Sequence, residues 1–290
     1  MRIRATVAAV SGALALSALA VPAAQADGRG DADLNKPSAA ERFGVSSAKS
    51  AFSTAAAAEE LPVVSKVTVN SGKAVVVGTT NAKTFTVSVT ASHPAGIADA
   101  YVDLWHGTDL TEEGLDGVLF PNEEVATCTA SSATTSTCKL TITAYPGLDL
   151  YKNALAGTWK VTAGVLAGDG ESIYWNDYQA THKVQRYSKL TVNASPEPVR
   201  KGKTITVTGK LSRANWETGV YAGYTGQSVK LQFRKKDSST YTTLKTIKTN
   251  STGNLSTTVT ASTDGYFRYY FEGTSTTPAV KAAGDFVDVQ

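Results

Sequence analysis

The sequence predicts an all-β protein made of two β-sandwiches in tandem, and three observations predict it. Short runs alternate between apolar and polar residues, as in Thr84-Phe85-Thr86-Val87-Ser88-Val89-Thr90, Thr204-Ile205-Thr206-Val207-Thr208 and Val229-Lys230-Leu231-Gln232-Phe233-Arg234. A period of two sends alternate side chains to opposite faces of a strand, one buried and one in water. The runs are separated by turn chemistry at Lys201-Gly202-Lys203, Thr225-Gly226-Gln227, Asn250-Ser251-Thr252-Gly253-Asn254 and Asp264-Gly265. Between Tyr187 and Gln290 no stretch carries a convincing 3.6-residue apolar period.

In chain order, Met1-Arg2-Ile3-Arg4 is a basic start, Ala5 to Val21 an apolar Ala-rich run, and Ala24-Gln25-Ala26 a small-x-small cleavage signature. Together they read as a secretory signal peptide over residues 1–26. The run is near the lower limit for a membrane span and leads straight into the cleavage site, so it reads as a signal and not an anchor. The expectation is a secreted, extracellular chain with no membrane contact after cleavage. The C-terminus carries no sorting motif, which extends the expectation to release or non-covalent retention at the surface. Residues 27–60 are rich in Ala, Ser and charge, and read as a flexible leader with marginal helical character over Ser38–Ala58. The integrin-type tripeptide Arg29-Gly30-Asp31 falls there and is too short to carry weight.

The first folded unit spans 61–185. Its expected strands are Lys66–Asn70, Ala74–Val77, Thr84–Ala91, Ala100–Trp105, Val125–Thr129, Cys138–Ala144, Trp159–Ala167 and Thr181–Gln185. An acidic excursion around Glu112-Glu113-Gly114-Leu115-Asp116 suits one helical turn, and Leu148–Leu155 a short helix ended by Gly157. Cys128 and Cys138 are the only cysteines. They flank a Ser/Thr-rich turn, and an exported chain with an even cysteine count is expected to oxidise them to a hairpin disulfide. No further ligands stand at zinc spacing and there is no Cys-x-x-Cys, so the pair reads as structural.

The second unit spans 186–290, with seven expected strands: Lys189–Ala194, Thr204–Leu211, Ser228–Arg234, Tyr241–Thr249, Asn254–Ala261, Tyr266–Glu272 and Asp285–Val289. The junction, 183–189, has no Gly/Pro-rich spacer, so the two units are expected to be closely apposed.

Two resemblances follow from these residues. Val199-Arg200-Lys201-Gly202-Lys203-Thr204-Ile205-Thr206-Val207-Thr208-Gly209, with Ser251-Thr252-Gly253-Asn254-Leu255 and Asp264-Gly265-Tyr266-Phe267-Arg268-Tyr269, resembles immunoglobulin-like domains of secreted Gram-positive proteins. That resemblance implies fold and is nearly silent on function. It also suggests that Tyr266 is a tyrosine corner, its phenol bonding nearby backbone. In the first unit, Ala95-Gly96-Ile97-Ala98-Asp99-Ala100-Tyr101-Val102, Ala126-Thr127-Cys128, Ser136-Thr137-Cys138 and Ala156-Gly157-Thr158-Trp159-Lys160-Val161 resemble a secreted actinobacterial domain family of unknown function with one hairpin disulfide. The implied architecture is two immunoglobulin-like β-sandwich domains in tandem, with no activity carried over.

Chemistry is sparse. His93, His106 and His182 stand beside no Gly-x-Ser-x-Gly, and both cysteines are committed to each other. The adjacent pairs Glu112/Glu113 and Glu123/Glu124 read as solvated charge and not a hydrolytic pair. Asp169-Gly170-Glu171, Asn176-Asp177, Asp99, Asp109 and Asp116 offer hard oxygens on loops for weak Ca²⁺ binding, but no Asp-x-Asp-x-Asp-Gly run exists and no metal site is assigned. Nothing calls for a cofactor, and export argues against nucleic acid as a partner.

Charge is split between the halves. Residues 61–185 carry 7 Lys+Arg against 12 Asp+Glu, and residues 186–290 carry 15 against 7, or −5 against +8. If Val229, Leu231 and Phe233 point inward, then Lys230, Gln232 and Arg234 face out. On the neighbouring strand Tyr266, Arg268 and Tyr270 would join them, unless a tyrosine corner reverses the face. Cations interleaved with tyrosines suit an anionic cell-wall polysaccharide. The competing partner is another extracellular protein, bound by the acidic loops of the first unit. The sequence thus predicts a non-catalytic binding or structural protein.

Overall fold

Nine strands build the first sandwich of the computed structural model, which describes residues 34–44 and 60–290. The signal peptide and Arg29-Gly30-Asp31 lie outside the described residues. The strands are β1 (Val63–Val69), β2 (Val75–Val77), β3 (Lys83–Ser92), β4 (Ile97–Gly107), β5 (Leu115–Leu119), β6 (Thr127–Ala130), β7 (Thr135–Ala144), β8 (Gly157–Ala167) and β9 (Ile173–Arg186). One sheet runs β1-β3-β7-β6 and the other β2-β9-β8-β4-β5. The alternation read in β3 buries Phe85, Val87 and Val89 against Leu140 and Ile142 of β7, and the facing sheet adds Val102, Leu104, Trp159, Val161 and Val165. Cys128 and Cys138 are direct cross-strand partners in β6 and β7 and form the disulfide.

The acidic excursion closes one turn, with Gly114 N and Leu115 N both donating to Thr111 O at 3.0 and 2.9 Å, and leads into β5, whose Leu115 and Val118 pack on Trp105 on the outer side of the sheet. Two expectations for this unit are corrected. Leu148–Leu155 yields only a 3₁₀ turn at Asn153–Leu155, in which Leu155 alone is buried. β9 begins eight residues before the expected Thr181, at Ile173. Its first half shows no alternation of buried and exposed residues, because its outward side is itself covered.

What covers it is the segment 34–44, which composition places in the flexible leader. It lies along the outer face of β4, β8 and β9. Its short helix α1 (Ala39–Phe43) starts in a capping box between Ser38 and Glu41 and stops at Gly44, whose φ of +67° is the left-handed conformation glycine adopts freely. Arg42 pairs with Asp99 at 3.0 Å, Phe43 meets Trp175 edge-on at 6.1 Å, and Leu34 packs with Trp105. A segment with few large apolar residues is ordered here because its cations reach buried carboxylates and its one phenylalanine meets Trp175.

The second sandwich has ten strands: β10 (Ser188–Leu190), β11 (Asn193–Ser195), β12 (Thr204–Asn215), β13 (Val220–Gly223), β14 (Ser228–Lys235), β15 (Thr242–Lys248), β16 (Asn254–Thr260), β17 (Gly265–Phe271), β18 (Val280–Lys281) and β19 (Asp285–Val287). The seven expected strands become ten because Lys189–Ala194 breaks into β10 and β11, and because the β12–β13 hairpin and β18 are additional. In one sheet β10, β11, β13 and β16 all pair with β12; in the other the order is β15-β14-β17-β18, with β19 also on β17. Between them lie Ile205, Val207, Leu211, Val229, Leu231, Leu255, Phe267, Tyr269 and Phe271.

The β12–β13 hairpin makes the joint. Trp216, at its tip, is 1% exposed and belongs to the hydrophobic cluster of the first sandwich. Its Nε1 donates to Gly78 O at 3.0 Å. Around it Arg186 Nε donates to Ala214 O at 2.5 Å, Gln185 Nε2 to Thr274 O at 3.0 Å, and Asn153 N to Glu217 Oε1 at 2.8 Å. The described residues therefore fall in one compact unit, Asp33–Gln290.

Candidate functional site

β14 and β17 are antiparallel neighbours, and their register places Lys230 opposite Tyr270, Gln232 opposite Arg268 and Arg234 opposite Tyr266. The inward set is Val229, Leu231, Phe267, Tyr269 and Phe271, all buried, with Phe233 packed against them. The six expected residues therefore share the outward face. Tyr266 is not a tyrosine corner: it lies on the outer surface. The phenol that reaches backbone is that of Tyr269, whose hydroxyl crosses the core to donate to Val207 O at 2.8 Å. Burial raises the pKa of that phenol.

The outward residues are held against one another. The Arg234 guanidinium stacks on Tyr266 at 3.8 Å from the ring centroid, and Arg268 stacks on Tyr241 at 3.6 Å. Arg268 Nε donates to Gln232 Oε1 at 2.9 Å, and Arg234 Nη1 to Ser238 O at 2.8 Å. Gln232 is thereby largely buried at 9% exposure and acts as a prop for Arg268 more than as a contact residue. Lys230 pairs with Glu272 at 2.6 Å, and Lys281 lies 5.1 Å from the Tyr270 ring. Among the described residues neither Arg234 nor Arg268 pairs with a carboxylate. Their planes are fixed by tyrosines and their charge is left uncompensated, an arrangement suited to planar anions. Tyr241 belongs to this face and was missed, because it sits just before β15, where alternation stops.

The acidic residues of the first sandwich are largely engaged internally. Glu123 accepts from Thr141 N at 2.7 Å and Oγ1 at 2.6 Å. Asp116 accepts from His106 Nδ1 at 2.5 Å and pairs with Lys152 at 3.1 Å. Asp99 is on a strand and not a loop tip; its Oδ1 accepts from Ala100 N at 2.7 Å and Ala126 N at 2.8 Å. Asp169 caps its own turn, accepting from Ser172 N at 3.0 Å and Glu171 N at 2.9 Å, and these bonds hold its carboxyl down to a pKa of about 2. The calcium reading of these loops finds no convergence: among the described residues no three His, Cys, Asp or Glu side chains come together as a metal cluster.

The histidines are occupied as well. His93 Nε2 donates to Glu60 O at 2.6 Å while its Nδ1 accepts from Ala95 N at 3.2 Å, and His182 Nε2 meets Lys73 O at 3.0 Å. Burial lowers the pKa of His182. In the hydrogen bonds of the described residues no histidine meets a Ser or Cys side chain. No described helix is long and apolar enough to cross a membrane.

Sequence reasoning named Asp99 and Asp177 only as loop oxygens for calcium; both lie in strands, and the second cluster to which they belong was missed. Asp99, Tyr101, Asp103 and Trp105 alternate on the outer face of β4, and Trp175 and Asp177 of β9 join them beneath the 34–44 segment. The signal was present as a period of two carrying only acidic and aromatic residues.

This geometry defines a class: a tandem immunoglobulin-like β-sandwich protein whose distinctive chemistry lies on outward sheet faces. The comparisons name no function. Residues 69–167 match a family of unknown function (DUF5707). No curated protein matches the chain. Among solved structures, the fibronectin(III)-like modules of Clostridium thermocellum CbhA are 11% identical, with 77% of this chain and 93% of that one covered and a TM-score of 0.30. The D0-D1 domain of intimin is 16% identical, with 78% and 99% covered and a TM-score of 0.25. Dimeric latent PorU from Porphyromonas gingivalis is 13% identical at a TM-score of 0.27, and this chain spans only 20% of its length. Similarities this low carry no argument about what the chain binds.

Proposed function

We propose that the chain is an exported, non-catalytic binding or structural protein acting at or outside the cell wall. Its second sandwich contacts an anionic cell-wall polysaccharide through Lys230, Arg234, Tyr266, Arg268 and Tyr270, with Gln232 in support. The observation that carries this reading is the pair of tyrosine-stacked guanidiniums, Arg234 and Arg268, without a carboxylate partner among the described residues. Stacked arginines lose little further freedom on meeting a phosphate or carboxylate, and the flanking rings suit the faces of sugars. In this reading the first sandwich belongs with the one-disulfide actinobacterial domains it resembles, and serves as a rigid support. The competing reading, a protein-binding module using the acidic loops, has less support because Asp109, Asp116 and Glu123 already serve their own loops.

The test is co-sedimentation of the full chain with purified cell walls at low and high salt. Pelleting should weaken with salt, as expected for surface charge screened over about 8–10 Å. The Arg234→Ala/Arg268→Ala variant should bind on the order of a hundredfold more weakly, because each guanidinium removed takes away a charge-assisted hydrogen bond of about 1.5 kcal/mol. Equal pelleting of the variant would overturn the assignment of the face. Capture of a protein partner insensitive to this variant would favour the competing reading.

A further inference from the structure

The outer face of the first sandwich encloses a lysine between two carboxylates. Tyr101 of β4, Gly164 of β8 and Trp175 of β9 form one row across the sheet. A Cβ on Gly164 would lie 2.5 Å from the Trp175 ring and 3.2 Å from that of Phe43. The bare backbone lets Trp175 lie over the sheet, stacked on Tyr101 at 5.2 Å and 15°, with Phe43 at its edge. In the adjoining row Asp103 stands opposite Thr162. A register shift between β8 and β9 at Val161/Ala163 brings Asp177 toward the same place, as strand bulges do when they re-aim a side chain.

Lys36 enters this chamber from the covering segment. Its Nζ contacts Asp177 Oδ1 directly and lies 3.4 Å from Asp103 Oδ2 and 5.0 Å from the centre of the Trp175 ring. The Lys36 side chain is 6% exposed and that of Asp103 is fully enclosed. Asp103 Oδ2 accepts from the Tyr101 hydroxyl at 2.9 Å, while its Oδ1 is buried with no hydrogen-bond partner. Asp177 Oδ1 accepts from Trp175 Nε1 at 3.1 Å and Thr162 Oγ1 at 3.4 Å. Burial raises the pKa of Asp103, against the opposing pull of Lys36. Two ionised carboxylates and one ammonium would be a costly set to enclose; a proton on Asp103 removes the excess charge.

We propose that Lys36 Nζ and Asp177 Cγ condense into an intramolecular amide, with Asp103 as proton carrier, fastening the 34–44 segment to β9. One proton passes from the Lys36 ammonium to Asp177 Oδ2, leaving a neutral amine and a carboxylic acid. Nζ attacks Cγ, and the donors Trp175 Nε1 and Thr162 Oγ1 hold the oxygen that gains charge, Oδ1. Asp103 takes a second proton from the nitrogen at Oδ2 and gives its own from Oδ1 to the departing hydroxyl. The Nζ–Cγ bond forms, the Cγ–Oδ2 bond breaks, one water leaves, and Asp103 ends as it began. No oxidant, metal or activating group is consumed. In bulk water the same condensation is opposed; here the reacting groups are in contact and shielded by Trp175, Tyr101 and Phe43. Such fixed contact is equivalent to effective concentrations of about 10⁵–10⁸ M.

The experiment is intact-mass spectrometry of the full chain, referred to its sequenced N-terminus. The expected mass is one water below that of the disulfide-bonded sequence, and proteolysis should release a branched peptide joining Lys36 to Asp177. Lys36→Arg keeps the charge but supplies no comparable nucleophile, and should show the full mass, as should Asp177→Ala. Asp103→Asn keeps the shape without the exchangeable acid proton, and should also remain unjoined while folded by circular dichroism. A full mass in the unaltered chain overturns the proposal without need of any variant. A water deficit that survives Lys36→Arg overturns it equally, and a bond that forms in Asp103→Asn overturns the role of Asp103.

Discussion

Replacing Trp216 by Ala should uncouple the two sandwiches. The indole is supplied by the second sandwich but buried in the core of the first, so its loss falls on the joint. Truncating a buried tryptophan to alanine costs about 3–5 kcal/mol. Part of that is the Gly78 carbonyl, which loses its donor at 3.0 Å. What remains at the joint is a set of hydrogen bonds, each worth about 1 kcal/mol net, that includes those from Arg186, Gln185 and Asn153 and the one from Trp216 N to Asn153 Oδ1, with Ala214 still packed on the first core. The indole is the largest single contribution among them, so its loss should weaken cooperativity between the sandwiches. The chain offers a clean assay. Of its four tryptophans, Trp105, Trp159 and Trp175 lie in the first sandwich, and Trp216 is the one removed. In Trp216→Ala, tryptophan fluorescence therefore reports the first sandwich alone, while far-ultraviolet circular dichroism reports both. In urea the two signals should coincide for the unaltered chain and separate in the variant, with the fluorescence midpoint moving down. Coincident transitions with a stability loss below about 1 kcal/mol would refute the view that this side chain carries the joint.

Two further expectations follow. Cys128→Ala/Cys138→Ala removes a cross-link between residues ten apart in sequence. It should lower stability by roughly 2–3 kcal/mol on the chain-entropy estimate, measured by urea unfolding followed by tryptophan fluorescence. Asp169 has a folded pKa of about 2, below its ordinary value near ~4, because Ser172 and Glu171 N–H groups favour the ionised form. Its contribution to stability is therefore complete above the unfolded value and is lost as pH falls toward 2. Carboxyl chemical shifts should place its midpoint near 2, and a midpoint near 4 would contradict the capped turn.

The second sandwich was legible because its β14 and β17 strands alternate cleanly and one face of each is apolar. That pointed to the core and outward residues of β14, but left open which face of β17 is buried and which tyrosine reaches backbone, because both faces of β17 carry aromatic residues. Tyr269 does so from inside the core, where a phenol must find a partner, while Tyr266 has water and Arg234. The first sandwich was less legible for a physical reason. Its β4 and β9 are covered on both faces, by the core on one side and by the 34–44 segment on the other. The residues on the covered outer face are acidic and aromatic, so they read as loop or surface. The covering segment is too short and too polar to announce itself as structure, and its contacts with Asp99, Asp103, Asp177, Trp175 and Trp105 order it.

The opposite charges of the two halves, −5 and +8, invite the idea that they hold each other. The joint argues otherwise. It is built from an indole, backbone carbonyls, Asn153, Gln185 and a buried Arg186. Burial and the neighbouring Arg213 lower the Arg186 pKa to about 10, so a cation is enclosed there at some cost. Among the described residues no ion pair crosses from one sandwich to the other. Asp99, Asp103, Asp116 and Asp177 of the first half are spent within that half, on its own loops and on Lys36 and Arg42 of its covering segment. The positive excess of the second half is not consumed in the same way: Lys230 is paired, but Arg234 and Arg268 are stacked on tyrosines. A joint without ion pairs among the described residues leaves the charge of each sandwich free to be used separately, inward in the first and outward in the second. The charge split thus reflects two different tasks, which is why neutralising Arg234 and Arg268 should alter binding without loosening the joint.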